Sequence, residues 1–124
     1  MKLQFFHVKD LCRLMETILE KQPPEHVMNV GNWESVTIRD WVLLCYQAAG
    51  KEAAFVNVTA DVEQRNYFSF YDYEYRLNVQ KQTDILKETI PLDTGLREAF
   101  DWYAAHREEV KRKNYLQYID DHFV

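Results

Sequence analysis

A chain of 124 residues, 47% hydrophobic and 28% charged, is one domain's worth of sequence and can bury a core without disulfides or a metal. Its formal net charge of −5 argues against a groove for nucleic-acid phosphates, and no apolar run approaches the ~20 residues that a membrane helix needs. Nucleic acid and membrane are therefore not expected as partners. Met1-Lys2 leads into only a handful of apolar residues before Lys9-Asp10, so no secretory signal is read and the cytoplasm is the expected compartment.

In chain order, Phe5 to Val8 reads as an apolar strand running directly into a helix over Asp10 to Lys21, where Leu11, Leu14, Met15, Ile18 and Leu19 recur at helical spacing. Pro23-Pro24 stops that helix, since proline donates no amide hydrogen and biases its predecessor away from helical angles. A short strand over His26 to Val30 and a turn at Gly31-Asn32 are expected next. Thr37-Ile38-Arg39-Asp40 resembles a capping box with aspartate in the place of glutamate. A second helix starts there, with Ile38, Trp41, Val42, Cys45 and Ala49 as its buried face and Gly50 at the left-handed position past its end. Cys12 and Cys45 fall on apolar helix positions and read as small buried hydrophobes.

Phe55 to Thr59 has strand character, and the aromatic run Tyr67, Phe68, Phe70, Tyr71, Tyr73, Tyr75 favours extended structure. Val79 to Lys87 is a short helix candidate. Ile90-Pro91-Leu92-Asp93 reads as an extended lead into a last helix capped by Asp93, with Leu96, Ala99, Phe100, Tyr103 and Ala104 as its apolar stripe. Arg107 to Lys113 is charged nearly all round, and Tyr115, Leu116, Tyr118, Ile119 and Phe123 offer a final apolar segment able to dock back.

Chemistry-bearing patterns are sparse. Gly31, Gly50 and Gly95 are the only glycines and are too far apart for a turn that cradles a pyrophosphate at a helix N-terminus. His7, His26, His106 and His122 lack metal-ligand spacing, so no metal is expected. Ser35 and Ser69 stand outside any nucleophile-elbow pattern. Glu108-Glu109 and Asp120-Asp121 read as solvated faces.

Several segments, taken together, resemble the extended short-chain dehydrogenase/reductases, the NAD-dependent nucleotide-sugar epimerases and dehydratases. Phe5-Phe6-His7-Val8-Lys9-Asp10-Leu11 is similar to their "F-x-H-V-x-D-L" junction, and Met28-Asn29-Val30-Gly31 to their "Y-N-(I/L)-G" strand with methionine in the tyrosine position. Ser35-Val36-Thr37 begins a helix that ends at Ala49-Gly50-Lys51, like the family's "G-K" end. Leu77-Asn78-Val79-Gln80-Lys81 resembles "x-D-x-S-K" with asparagine and glutamine as departures. Ile90-Pro91 through Gly95-Leu96 and Trp102 is similar to the proline, "G-L" and tryptophan that start the family's last helix, with a shorter gap.

The resemblance covers the family's C-terminal part only. It implies a small mixed α/β substrate-binding lobe of an extended short-chain dehydrogenase without the Rossmann domain, spanning residues 1–124, with 1–21 as the junction from a dinucleotide-binding domain and 105–124 as a charged helix end and tail. The cofactor turn and the catalytic Tyr-x-x-x-Lys precede the "H-V-x-D" junction in the family, so no catalytic residue is carried over. Tyr103-Ala-Ala-His-Arg107 is only an ordinary helix-surface pair, because arginine cannot support lysine's proton chemistry. The expectation is a truncated reading frame or split subunit whose partner is a missing or separate dinucleotide-binding domain, with the strand at Phe5 and Phe6 left as an edge through which the chain forms a homodimer.

For such a lobe the ligand implied is a nucleotide-sugar. NAD(P) belongs to the full-length family enzyme and is not bound by this chain. Val36 resembles the small apolar residue that lies against the nucleotide base; its alternative is plain packing at a helix entrance. Arg65 sits where the family often has an arginine for the diphosphate, although Asn66-Tyr67 replaces the usual Gly-Asp after it; its alternative is an exposed loop arginine. Tyr71 either stacks on a base or sugar or belongs to the core. His7 and Asp10 are expected to satisfy backbone groups at the strand–helix junction. Two function classes follow: the substrate-binding portion of an epimerase or dehydratase, inactive by itself, and a non-catalytic binding or interaction module on the same lobe.

Overall fold

The computed structural model describes residues 2–55, 76–111 and 121. Within them the chain is helix-rich with one small antiparallel sheet, a mixed arrangement of α and β elements. The order is β1 (Lys2–Leu3), α1 (Val8–Lys21), β2 (Val36–Thr37), α2 (Ile38–Ala48), α3 (Gln80–Ile85) and α4 (Leu92–Ala105). β1 pairs with β2 in the register Lys2 to Thr37 and Leu3 to Val36. α1 packs on α3, and α2 packs on α4. Among the described residues no helix is long and apolar enough to cross a membrane.

The helix boundaries follow local chemistry. His7, in an extended conformation, caps α1 by accepting the Lys9 amide on Nδ1 at 3.2 Å. α1 stops at Lys21 because Gln22 precedes proline; it turns to φ 44° and gives its amide to the Ile18 carbonyl. Thr37 caps α2 as its sequence promises: its hydroxyl accepts the Asp40 amide at 3.1 Å and donates to the Asp40 carboxylate at 2.6 Å. Gly50, at φ 65°, takes the left-handed position past α2. α3 confirms the short helix expected after Val79.

Several expectations are corrected. The Phe5 to Val8 strand does not form; the strand lies upstream at Lys2–Leu3, and α1 begins already at Val8. Gln4 explains the change, because its side-chain amide does the work a ladder would have done. Its Nε2 donates to the Asn32 carbonyl at 2.6 Å, and its Oε1 accepts the Leu77 amide at 2.9 Å. Phe5 is not a free edge either: its carbonyl accepts the Asn32 amide, and its ring lies 5.5 Å from that of Trp41. The strand expected over His26 to Val30 is irregular for a related reason. Side chains hold it, with Asn29 donating to the Asn78 carbonyl and the Gln82 amide oxygen accepting the Gly31 N–H at 2.8 Å.

The interior is small. Leu14, Ala48, Val79 and Leu86 are its buried apolar residues, and Asp10 and Gln82 are buried among them. Cys12 is exposed rather than buried, since it faces the side of α1 opposite Asp10 and Leu14; Cys45 is half-buried, and burial raises its thiol pKa. On α2 the most buried position is Ala48, where α4 crosses, not Ala49. The α4 stripe is not sealed: Phe100, Tyr103, Ala99 and Ala104 are exposed and Leu96 is half-buried. Asp93 does not cap α4. Pro91 occupies that place with φ fixed near −58°, and Asp93 instead accepts the Thr94 amide inside the first turn. The expected extended segments over 56–59 and 67–75 and the docking segment over 115–120 and 122–123 lie outside the described residues; Phe55 itself is irregular, under the Arg39 guanidinium.

Candidate functional site

Four stretches far apart in sequence meet around one open cleft of about 530 Å³, within the ~300–1,000 Å³ usual for small-molecule sites. Phe5 comes from the lead into α1, Asn32 to Glu34 from the bend before β2, Val36 from β2, Leu44 from α2, and Thr89 and Pro91 to Asp93 from the lead and first turn of α4. Its walls mix apolar surface from Phe5, Val36, Leu44 and Leu92 with the carboxylates of Glu34 and Asp93.

Each wall is fixed by a long-range hydrogen bond. Gln4 holds the Asn32 carbonyl while the Phe5 carbonyl holds the Asn32 amide, so the bend is gripped from both sides. Asp10 sets the opposite wall. Its side chain is fully buried (0% exposed); one oxygen accepts the Ile90 amide at 2.6 Å and the other receives Arg13 at 2.9 Å. A carboxylate accepting a backbone N–H and a guanidinium in the interior is paid for by both partners. His7 and Asp10 thus satisfy backbone groups as their sequence context suggests, but the group Asp10 serves lies eighty residues away. The junction and α4 also touch directly: a Cβ placed on Gly95 would fall 2.8 Å from the His7 ring, so a side chain at this position requires that ring to shift.

A second cleft of about 400 Å³ opens on the other side of Trp33, between Arg76 and the start of α3. The Arg76 guanidinium lies 5.1 Å from the Trp33 ring centroid and donates to the Trp33 carbonyl at 2.7 Å. Asn78 turns the chain into α3 by accepting the Gln80 amide on its side-chain oxygen. Along the outer edge of α4, Lys9 hydrogen-bonds Glu98, which holds that carboxyl below its ordinary pKa. Among the described residues no cluster of His, Cys, Asp and Glu is grouped to hold a metal ion.

Of the site residues named from sequence, Val36 lies in the wall of the first cleft, half-buried. Arg65 and Tyr71 lie outside the described residues. Tyr103 is exposed on α4, and Arg107 falls beyond that helix's end. Sequence reasoning passed over Phe5, Trp33 and Arg76. Trp33 carried a usable signal, a large aromatic placed immediately after a Gly-Asn turn, where a loop presents side chains to a ligand; Arg76 carried none, because its partner is brought to it only by folding.

Comparison with models of known protein families, with curated proteins and with solved structures gives no match for this chain.

Proposed function

We propose that the chain is the C-terminal substrate-binding portion of an NAD-dependent nucleotide-sugar epimerase or dehydratase, able to bind a sugar nucleotide and not to turn it over alone. One observation carries the reading. Separated segments that resemble that family each contribute to one ligand-sized cleft: Phe5 of the 5–11 junction, Val36 of Ser35-Val36-Thr37, and Pro91 to Asp93 of the segment that begins at Ile90. In this reading Val36 and Phe5 give an apolar seat for a base, and Asp10 and Gln4 keep the two walls at a fixed separation.

In this reading NAD(P) is no ligand of this chain by itself. The N-termini of α1, α2 and α4 are preceded by His7, Thr37 and Pro91, where a pyrophosphate needs a glycine turn and free amides. Under the proposal a separate dinucleotide-binding domain supplies that site. Val8, Leu11, Met15 and Leu19 form an exposed apolar stripe on the outer face of α1, surface that such a domain would cover.

Titration of the purified chain with uridine, thymidine and guanosine diphosphate sugars, followed by amide NMR shifts, tests the proposal. Weak binding is expected, with Kd on the order of 1 mM because half of the cleft is contributed elsewhere, and with the largest shifts at Val36 and the 31–34 bend. Val36→Asp should weaken it about tenfold or more, ~1.4 kcal/mol, and NAD should cause no shifts. No response to any of the three sugar nucleotides would overturn the reading.

A further inference from the structure

Trp33 is 54% exposed and borders both clefts, a position that leaves a large aromatic surface in solvent between two concave sites. Arg76 is fixed against it twice, by the cation–π contact at 5.1 Å and by the bond to the Trp33 carbonyl at 2.7 Å. That bond uses one of the five N–H groups of the guanidinium. Among the described residues no carboxylate pairs with Arg76. The side chain is a held donor fork that, among the described residues, gives only one N–H group to an acceptor, the form of cation that suits paired phosphate oxygens.

Charge gives the arrangement a direction. Among the described residues the first cleft carries Glu34 and Asp93 and no cation, whereas the second carries Arg76 and no acid. A phosphate is repelled from the first and attracted to the second. The first cleft has the apolar wall that a base requires. A ligand with a flat apolar end and an anionic end fits only one way round.

We propose that Trp33 and Arg76 form the diphosphate seat of this lobe: the nucleoside occupies the cleft beside Phe5 and Val36, and its diphosphate passes over Trp33 to Arg76 in the second cleft. This deepens the sugar-nucleotide reading and rests on it, and it assigns the phosphate contact to a residue that the family resemblance does not.

The experiment compares uridine, uridine diphosphate and inorganic pyrophosphate as ligands of the wild-type chain, Arg76→Gln and Arg76→Lys, by calorimetry and by the Trp33 indole NMR signal, assigned with Trp33→Phe. The diphosphate is expected to bind at least about tenfold more tightly than the nucleoside, as charge-assisted hydrogen bonds add to base packing. R76Q should erase that advantage while leaving uridine affinity unchanged, and R76K should restore only part of it, since an ammonium offers no planar fork. Both variants alter an exposed side chain, and an unchanged thermal transition verifies their folding. If R76Q leaves the diphosphate advantage intact, the phosphate lies elsewhere and this inference falls while the sugar-nucleotide reading stands. If pyrophosphate binds in an Arg76-dependent way but neither uridine nor its diphosphate shows base-dependent binding, the anion seat stands and the nucleotide reading falls. If none of the three binds, both fall.

Discussion

α1 and α4 are each 14 residues long, yet they are anchored in opposite ways. α1 seals Leu14 to 1% exposure and Asp10 completely, although most of its apolar residues, Val8, Leu11, Met15 and Leu19, face outward. α4 has no buried residue and is held at its rim: Gly95 lies under the His7 ring, Lys9 hydrogen-bonds Glu98, and Arg97 donates to the Gln47 carbonyl at the end of α2. The difference teaches that apolar content does not decide which face of a helix is buried here. What decides is whether a side chain has something opposite it to fill or to satisfy. α3 packs against α1, and Asp10 has the Ile90 amide; among the described residues α4 packs on α2 without sealing any of its own side chains.

The sharpest way to break this comparison is to delete apolar volume from both helices. Leu14→Ala should cost about 3 kcal/mol, the usual loss for emptying a sealed leucine site, read as a fall in the urea midpoint. Phe100→Ala, on the half-open face of α4, should stay within about 1 kcal/mol. Equal losses would mean that the outer face of α4 is covered in solution.

A smaller effect sharpens the account of the α4 rim. Alanine in place of a helical glycine ordinarily stabilises by about 1 kcal/mol. At Gly95 the added Cβ would meet the half-buried His7 ring, which caps α1, so Gly95→Ala should instead destabilise by about 1 kcal/mol. His7→Ala in the same chain should then make Gly95→Ala favourable. A double-mutant cycle on thermal unfolding measures that change of sign, and additivity of the two substitutions would refute the contact.

The smallest expected effect concerns Glu98, whose carboxyl is held below its ordinary pKa by the hydrogen bond from Lys9. A carboxylate with a depressed folded-state pKa stabilises above its unfolded value and loses that contribution as pH falls through the folded one. Glu98→Gln should therefore lower the melting temperature slightly at neutral pH, by less than Gly95→Ala. The gap between variant and wild type should close below the ordinary glutamate range of ~4.3. A gap that persists in acid would show that the side chain acts through packing instead of charge.

Much of the local structure was legible in residue order. The Pro23-Pro24 stop, the Thr37 cap, the Gly50 turn and the short helix after Val79 are each written in a few adjacent residues, because helix ends are settled by amides and carbonyls within one turn. The strands expected over Phe5 to Val8 and His26 to Val30 do not form, for the converse reason. Apolar runs look like ladders, but here the side chains of Gln4, Asn29 and Gln82 took the hydrogen bonds that neighbouring strands would have supplied. Of the candidate site, Val36 was visible beforehand, whereas Phe5, Trp33 and Arg76 became a set only when the chain closed.

The sequence by itself determined where α1 stops, how α2 is capped and turned out of, and that the chain is acidic with three scattered glycines. Only the tertiary structure decided which face of α1 is inside, that Gly95 lies against the His7 ring, and that a tryptophan and an arginine 43 residues apart share one ridge between two clefts. Local signals act through bonds closed within a single turn, while burial and ligand contacts depend on which distant segment arrives opposite, and no short-range pattern encodes that arrival.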